Sequence, residues 1–318
     1  MATYTVGVDV GGTKIQSAAV ESAKVVGTAR VETPTTGSAD VVKAIVSTVR
    51  DALSEAKAEG ADLRAIGIGT PGEVDSATGD VSRAANVPGF EEVVPLGKLV
   101  SEQFSGVPVT VDNDVRVATV GEFTRGAGRP YRNLLGVFVG TGVGGGLILE
   151  GELRRGRGSA GEIGHTVVKP GGRKCRCGRH GCLEAYAGRQ SIEEAARRRQ
   201  ADGEKTELFE IMEKRGRDRV TSSVIEKALE QKDAVTVELI DEAVDALGIA
   251  LANAQNLLDL EAIILGGGLG DRLGRPFVDR VEAAMGKHLF IADKPPAMLT
   301  TELQDLSGAV GAAVAAGG

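Results

Sequence analysis

The sequence is poor in aromatic residues and has no tryptophan. Seven phenylalanines and three tyrosines make up 3% of the 318 residues, so the core must be built from valine, leucine, isoleucine and alanine. Apolar residues still reach 42% and charged residues 25%, which is ordinary for a globular protein with a sizeable core. At this length two domains are the natural expectation.

An excess of positive charge is also missing. The formal net charge is -7, which disfavours nucleic acid as the main partner because a phosphate backbone calls for a basic surface. A nucleotide ligand stays compatible with this charge, since local backbone amides and a magnesium ion can neutralise its phosphates.

Long hydrophobic runs and a leader-like start are absent as well. The longest apolar run, Leu134–Leu149, contains Thr141 and six glycines and is too short for a membrane span. Met1 is followed by a strand-like run that contains Asp9, not by a basic start and a long apolar stretch. The three cysteines lie within eight residues of one another, which does not suit a disulfide framework. We therefore expect a cytoplasmic protein without a membrane partner.

Glycine is abundant, with 45 residues, and two of its clusters occur in matching contexts. The stretch Gly7–Thr13 aligns with Gly136–Gly142, and at the same offset Ala18–Val20 falls opposite Leu147–Leu149. Each copy predicts a buried strand, a Gly/Thr turn and a returning strand, which is a β-hairpin. Two such hairpins indicate a duplicated domain, with chance similarity of glycine-rich strands as the alternative.

The remaining pattern alternates between strands and helices. It predicts a helix from an N-cap at Ser38, buried strands over 65–68, 107–111 and 262–265, an amphipathic helix over 237–258 and a small-residue helix over 306–316.

The first glycine turn, Gly11-Gly12-Thr13-Lys14, is suited to phosphate. Glycines let backbone amides converge on an anion, Thr13 adds a hydroxyl donor and Lys14 adds charge. Asp9, on the entering strand, is positioned to hold a magnesium ion through water.

The second glycine turn, Gly140-Thr141-Gly142, offers similar donors without a carboxylate, because Phe138 stands where Asp9 would be. Neither turn is a Walker P-loop. Together they resemble the two phosphate motifs of the sugar kinase, Hsp70 and actin superfamily. The turn after the strand 262–265 resembles its adenosine motif, which implies nucleotide contacts at Gly267 and Gly268.

The cysteines form a compact, glycine-rich knuckle. Cys175, Cys177 and Cys182 are three soft ligands, and tetrahedral Zn²⁺ requires a fourth. His180 lies between two of the cysteines and His165 lies ten residues before the first, so spacing alone leaves both open. A site with four protein ligands would be structural.

A strand leads directly into Asp112-Asn113-Asp114. Phosphoryl transfer to a hydroxyl needs a carboxylate that accepts the proton, and open α/β sheets present such groups at the ends of strands. A helix cap before residues 115–123 is the competing interpretation.

Two further motifs carry a family resemblance. Residues 161–165 read G-E-I-G-H, and Cys175–Cys182 with Glu184 read C-x-C-G-x-x-G-C-x-E. The chain thereby resembles the ROK family of bacterial sugar kinases, from Asp9 to the Gly266 turn. The resemblance implies an α/β fold of two duplicated actin-like (ribonuclease H-like) ATPase domains around a central cleft that binds the nucleotide. The expected domains are residues 1–117, joined by the C-terminal helix 305–318, and residues 118–304 with the zinc knuckle.

The same resemblance implies roles for single residues. Asp114 becomes the general base, and His165 becomes the fourth zinc ligand in preference to His180. The implied hexose-binding residues are Asn86, Asn113, Glu162, His165 and Glu184.

The expected reaction is ATP-dependent phosphorylation of a hexose, glucose to glucose 6-phosphate, with Mg²⁺ and a structural Zn²⁺. Fructose and N-acetylmannosamine are alternative acceptors, and polyphosphate is an alternative donor, although the adenosine-type turn favours ATP. Two departures from the family pattern concern the choice of sugar: Val115-Arg116 replaces an A-N pair, and Phe90 stands where many glucokinases have tryptophan.

A different class is a sugar-sensing ROK regulator. Such regulators carry a DNA-binding domain before the first phosphate motif, whereas Asp9 lies near the start of this acidic chain. A pseudokinase would require the loss of the base or of a phosphate loop, and neither is lost. We expect hexose and ATP as ligands, and a homodimer or homotetramer.

Overall fold

The computed structural model describes residues 3–22, 24–58, 63–84 and 86–317. The chain folds into two compact units. Unit 1 consists of Met1–Arg132, Gly146–Ala160 and Glu302–Gly318, and unit 2 consists of Asn133–Gly145 and Gly161–Thr301. The expected domain boundary between residues 117 and 118 falls inside a helix, Asp114–Arg125, that lies wholly in unit 1.

Strands and helices alternate along the described chain. The strands are β1 (Tyr4–Val10), β2 (Lys14–Glu21), β3 (Lys24–Glu32), β4 (Leu63–Thr70), β5 (Glu73–Asp75), β6 (Asp80–Ser82), β7 (Val109–Asn113), β8 (Leu134–Val139), β9 (Val143–Leu149), β10 (Glu152–Leu153), β11 (Ala262–Gly266) and β12 (Ala297–Thr300). The helices are α1 (Ser38–Glu55), α2 (Leu96–Glu102), α3 (Asp114–Arg125), α4 (Glu184–Ala187), α5 (Arg189–Ala201), α6 (Leu208–Lys214), α7 (Ser222–Glu230), α8 (Ala234–Leu258), α9 (Gly267–Gly286) and α10 (Ser307–Gly317). Among the residues described, no helix combines the length and apolar character needed to span a membrane.

The first sheet has the strand order β3-β2-β1-β4-β7. Strands β1 and β2 form the predicted antiparallel hairpin, and β4 and β7 run parallel to β1. The central strands are nearly continuous runs of apolar residues because they are covered on both faces. The register places Asp9, Gly69 and Asp112 side by side on β1, β4 and β7. The candidate acidic residues therefore gather at one edge of this sheet.

Helix α1 covers part of this sheet with an apolar stripe at helical spacing, in which Val41, Ile45 and Val49 are fully buried. The helix begins at Ser38, but the N-cap is Gly37 and not Ser38 as predicted from the sequence.

Helix α10 approaches the first sheet unusually closely because it is built from glycine, alanine and valine. A Cβ atom added at Gly7 of β1 or at Gly67 of β4 would collide with backbone atoms of α10. On another side of α10, a Cβ at Gly311 would collide with the Val117 carbonyl of α3. Glycine at these points lets two strands and two helices meet backbone to backbone.

The second sheet has the order β10-β9-β8-β11-β12, which repeats the order of the first. Strands β9 and β10 pair antiparallel, and β8, β11 and β12 pair in parallel. Strands β1, β4 and β7 thus correspond to β8, β11 and β12. The internal repeat predicted from the two glycine hairpins is present as a repeated sheet topology.

Candidate active site

The first phosphate loop, Gly11–Lys14, is fixed by Thr33 just after β3. Thr33 donates its amide to the carbonyl of Thr13 at 3.0 Å and its hydroxyl to the carbonyl of Gly11 at 2.5 Å. With these two carbonyls engaged by Thr33, the loop keeps a defined turn from which its amides can serve an anion.

Two residues of this loop have close neighbours in unit 1. A Cβ atom on Gly12 would meet the carbonyl oxygen of Asn86 at 2.5 Å, so the structure places the loop against the predicted hexose-binding residue. The ammonium of Lys14 donates to Gln16 at 3.1 Å and forms an ion pair with Asp305 at 2.8 Å. The charge of Lys14 therefore ties the loop to the turn that precedes α10.

Asp9 is a partly buried carboxylate close to this loop. Burial is the main cause that raises its pKa to about 7, and the charges of Asp114 and Asp305 add to the increase while Lys14 opposes it. A Cβ atom at Gly308 of α10 would meet the carboxyl carbon of Asp9 at 2.7 Å. A bound cation would relieve the unfavourable charge at this position.

Asn113 and Asp114 lie at the junction of β7 and α3. The side-chain oxygen of Asn113 accepts hydrogen bonds from the amides of Val115 at 3.0 Å and Arg116 at 3.2 Å, so Asn113 is the N-cap of α3. Its oxygen is thereby engaged, and its NH₂ group is the part suited to a ligand. The cap interpretation and the site interpretation from the sequence are compatible, because Asp114 becomes the first residue of the helix.

A charged cluster beside this junction was missed by the sequence reasoning. Asp112 is buried and pairs with Arg116 at 3.3 Å and with Arg155 at 2.8 Å. Arg116 also donates to the carbonyl of Gly158. The spacing of Asp112 and Arg116 by four residues was the available signal, but their burial could not be deduced from it.

The second phosphate loop, residues 140–143, belongs to unit 2. The amide of Val143 donates to the carboxylate of Glu184 at 2.9 Å, and Gly142 has no room for a Cβ atom beside the same carboxylate. Arg189, which the sequence reasoning also missed, donates to the hydroxyl of Thr141 at 2.8 Å.

The predicted adenosine turn is the start of α9. Gly267 has a φ of +81°, and a Cβ atom there would meet backbone atoms of Val139 at 2.7–2.8 Å. This left-handed, tightly packed position requires glycine. Gly268 faces Ser222, whose hydroxyl oxygen lies 3.5 Å from the position that a Cβ atom would take.

Four soft ligand atoms come together in the knuckle of unit 2. Four residues each contribute one ligand atom, and these atoms lie within 4.8 Å of one another. The residues are His165, Cys175, Cys177 and Cys182. The Sγ atoms of Cys177 and Cys182 are 3.7 Å apart, and Cys175 Sγ is 3.9 Å from His165 Nδ1. Ligands of tetrahedral zinc are separated by about 3.6–3.8 Å, from Zn–S and Zn–N bonds of about 2.3 and 2.0–2.1 Å. These residues fit a zinc ion, whereas His180 is exposed and is not part of the group.

The three thiols of the knuckle differ in pKa. Burial raises the pKa of Cys175 to about 12 and also raises the pKa of Cys182. Desolvation opposes ionisation of Cys177, but hydrogen bonds from Arg179 and the other two thiols lower its pKa to about 6. Cys177 is thus the thiol that ionises most readily, and a bound divalent cation would stabilise the ionised form of all three.

The remaining predicted hexose-binding residues border this knuckle. Glu162 precedes a short 3-10 turn, Ile163–His165, and Gly164 in this turn packs against the carbonyl of Val143. One carboxylate oxygen of Glu184 lies 3.8 Å from Cys175 Sγ. The other oxygen accepts the amide of Val143 in the second phosphate loop. Because His165 directs Nδ1 to the cysteines, its Nε2 is the nitrogen left for a ligand.

The predicted site residues are divided between the two units. Unit 1 contains Asp9, Gly11, Gly12, Thr13, Lys14, Asn86, Asn113 and Asp114. Unit 2 contains Gly140, Thr141, Gly142, Glu162, His165, Cys175, Cys177, Cys182, Glu184, Gly267 and Gly268.

Comparison with known proteins identifies the family and the fold. The model of the ROK family matches residues 5–317. A glucokinase of Streptomyces coelicolor is 36% identical over 314 residues, which cover 97% of this chain and 96% of that protein. An N-acetylmannosamine kinase of Vibrio cholerae is 30% identical over 282 residues, 88% of each chain. A solved structure, a ROK family glucokinase from Streptomyces griseus in complex with glucose and AMPPNP, matches with a TM-score of 0.83 and 33% identity, over 98% of this chain and 99% of that one. The predicted α/β fold of this kinase family is confirmed.

Proposed function

This chain belongs to the ROK family, and from that premise we propose that it transfers a phosphoryl group from ATP to a hexose, with glucose as the acceptor. The observation that carries the proposal is the position of Asp114. This carboxylate follows β7 directly, opens α3 and is close enough to Asp9 to raise the pKa of Asp9. A base and a cation-binding carboxylate therefore share one sheet edge with the first phosphate loop.

In the proposed reaction, an acceptor hydroxyl attacks the γ-phosphorus of ATP. The hydroxyl proton passes to the carboxylate of Asp114, and the bond from the γ-phosphorus to the oxygen that bridges it to the β-phosphate breaks, which releases ADP. Asp9 would hold, through water, a Mg²⁺ ion that neutralises phosphate charge. The loop Gly11–Lys14 and the loop Gly140–Gly142 would donate amides and hydroxyls to the phosphates.

The proposed hexose contacts differ in chemistry. The NH₂ group of Asn113 donates, because its oxygen caps α3. The carboxylates of Glu162 and Glu184 accept from sugar hydroxyls, and Asn86 and His165 Nε2 complete the set.

His165, Cys175, Cys177 and Cys182 would hold one structural Zn²⁺ ion. When bound, the ion cross-links the 3-10 turn at residues 163–165 to the knuckle and orients the His165 ring.

The test is ADP release from the purified protein with ATP and a panel of glucose, fructose and N-acetylmannosamine, repeated with polyphosphate as donor. We expect the highest kcat/KM with glucose and ATP. Asp114→Asn should lower kcat about 10²- to 10⁴-fold, the usual contribution of a general base, while glucose still raises the Tm of the variant.

The exposed Asp293 provides the matched control, and Asp293→Asn should keep wild-type kcat. Near-normal turnover by Asp114→Asn would exclude it as the base. A higher kcat/KM with N-acetylmannosamine than with glucose would identify N-acetylmannosamine as the preferred acceptor. That sugar is the one named for the Vibrio cholerae relative. Binding of a hexose without any turnover would indicate a sugar sensor.

A further inference from the structure

The start of helix α5 is built onto the second phosphate loop. Its N-cap is Gly188, which has no side chain to cap the helix. Instead, the amide of Arg189 donates to the carbonyl of Gly140 at 3.0 Å, and the amide of Gln190 donates to the carbonyl of Thr141 at 3.1 Å. The loop therefore takes the place of a capping side chain.

This arrangement fixes the direction in which the loop presents its donors. In a trans peptide the C=O and the following N–H point in opposite directions. Because the carbonyls of Gly140 and Thr141 point toward α5, the amides of Thr141 and Gly142 point away from it. Helix α5 thus holds two adjacent amides in one direction, which is the geometry of an anion-binding turn.

The side chain of Arg189 extends this control to the Thr141 hydroxyl. The guanidinium donates to the Thr141 oxygen at 2.8 Å. Because a hydroxyl that accepts a hydrogen bond keeps its own proton, Thr141 can donate that proton to a ligand. Because the Arg189 guanidinium can only donate hydrogen bonds, the Thr141 hydroxyl accepts from it and remains a donor toward a ligand.

Charged groups of both signs surround this contact. Burial lowers the pKa of Arg189, the neighbouring charge of Arg219 adds to this, and Glu193 opposes it. Glu193 also pairs with Arg197 at 2.6 Å and accepts the amide of Val220 at 2.8 Å. Glu193 is thus engaged by Arg197 and by the amide of Val220, while the carboxylate of Glu184 is engaged by the amide of Val143 in the loop itself.

We propose that Arg189 is a positioning residue for the second phosphate loop. Arg189 holds Thr141 and the adjacent amides toward the phosphates of the nucleotide. This inference rests on the proposed kinase function of the same site. Arg189 acts through Thr141, so its effect concerns the phosphate donor and not the hexose.

The experiment compares Arg189→Gln and Arg189→Lys with the wild-type protein. The readouts are KM for ATP, KM for glucose and kcat from ADP release, together with the Kd of MgADP and of inorganic tripolyphosphate from calorimetry. We expect Arg189→Gln to raise the ATP KM and both Kd values about 10- to 100-fold, the effect of losing a charge-assisted hydrogen bond. The glucose KM should change less than about 2-fold, and Arg189→Lys should give intermediate values, because lysine keeps the charge without the planar fork.

A matched control lies on the same helix. Arg198 is exposed, and Arg198→Gln should keep wild-type values for every readout. Thr141→Val provides a second route if Arg189→Gln folds poorly, and it should raise the same constants. In the double variant the two effects should not add, because one residue acts through the other.

The outcomes separate this inference from the proposed function. If Arg189→Gln and Thr141→Val both bind MgADP and tripolyphosphate like the wild type, the positioning role is wrong even in an active kinase. Equal increases in the KM of ATP and glucose would also contradict it, since they would indicate a general structural role. If the wild type binds MgADP in an Arg189-dependent way but phosphorylates no hexose, the inference stands and the kinase proposal fails.

Discussion

At the scale of single residues, Asp9 shows how the position of an aspartate in the fold changes its pKa. The sequence identified it as a candidate magnesium residue from its place before the first glycine turn. Its raised pKa could not be deduced from that place, because the main cause is burial in the folded chain, and Asp114 and Asp305, whose charges add to it, are more than 100 residues away in sequence. Folding brings three carboxylates near one buried position, and this determines the chemistry.

The first prediction at this scale concerns the pH dependence of stability. The pKa of Asp9 rises from 3.8 to about 7 on folding, so the folded state retains a proton that the unfolded state loses between these values. The free energy of unfolding should therefore fall as the pH rises from about 4 to about 7. Asp9→Asn removes this titration, and its stability relative to wild type should increase from pH 4 to pH 8 by about 4 kcal/mol.

Urea denaturation in magnesium-free buffer at both pH values measures this difference. Asp293→Asn replaces an exposed carboxylate and should show the same relative stability at pH 4 and pH 8. A pH-independent difference for Asp9→Asn would contradict the raised pKa.

Arg116 and Phe90 account for the two departures from the family pattern. Arg116 is buried, pairs with Asp112 and bonds the carbonyl of Gly158, so it stabilises the strand-to-helix junction and a neighbouring loop. Phe90 is fully buried in the apolar core of unit 1. The sequence analysis connected both positions with the choice of sugar. Their burial shows that each side chain also packs inside the protein.

At the scale of elements, the cysteine knuckle was the most specific signal in the sequence. Three cysteines in eight residues predict a metal site by themselves, but two histidines were compatible with the spacing. The structure brings His165 to the cysteines, because Val167, two residues further along the chain, forms a β-bridge with Cys182.

The second prediction concerns this knuckle. Cys177 is exposed, so Cys177→Ser changes a ligand without leaving a cavity in the core. The zinc content should fall from about one ion per chain, since a structural site requires all four ligands. The KM for hexose should rise about 10-fold or more, because the proposed metal would orient His165.

Metal analysis and the Tm accompany the kinetics, so the result does not depend on activity alone. His180→Ala changes the exposed histidine of the same loop and should keep the zinc and the Tm of the wild type. Loss of zinc in His180→Ala, or a fully active protein without zinc, would refute the ligand assignment.

The third prediction concerns the contact between α3 and α10. A Cβ atom at Gly311 would collide with the Val117 carbonyl, and backbone atoms cannot move aside without shifting a helix. Gly311→Ala should lower the free energy of unfolding by about 2 kcal/mol, the typical cost of overpacking, although alanine is the better helix former.

Gly286→Ala is the matched control, because Gly286 also lies in a helix and has nothing within 4 Å of the added Cβ atom. This variant should be as stable as wild type or slightly more stable. Thermal or urea denaturation of both variants measures the contrast, and equal stability of the two would contradict the close packing.

At the scale of the whole molecule, the chain repeats one sheet topology with unequal chemistry. The first copy carries Asp9 on its opening strand, and the second carries Phe138 at the matching position. The two phosphate loops are also held differently: Thr33 binds the first, while Glu184 and α5 bind the second. The repeated topology therefore carries two loops with different supporting contacts.

The sequence by itself determined the elements and motifs that depend on local patterns. Strand and helix type, the two glycine hairpins, the cysteine knuckle and Asp114 at the end of a strand all follow from periodicity and from residues close together in the chain. The ROK resemblance extended this to the fold, and the comparisons confirmed it.

Only the tertiary structure decided the contacts between distant segments. It brought Asp305 to Lys14, Arg116 to Gly158 and Arg189 to Thr141. It also determined which side chains are buried and therefore how their charges behave. Local patterns determine how a segment folds. Packing determines the partners of its polar groups, because most buried donors and acceptors are satisfied by groups that the fold brings near.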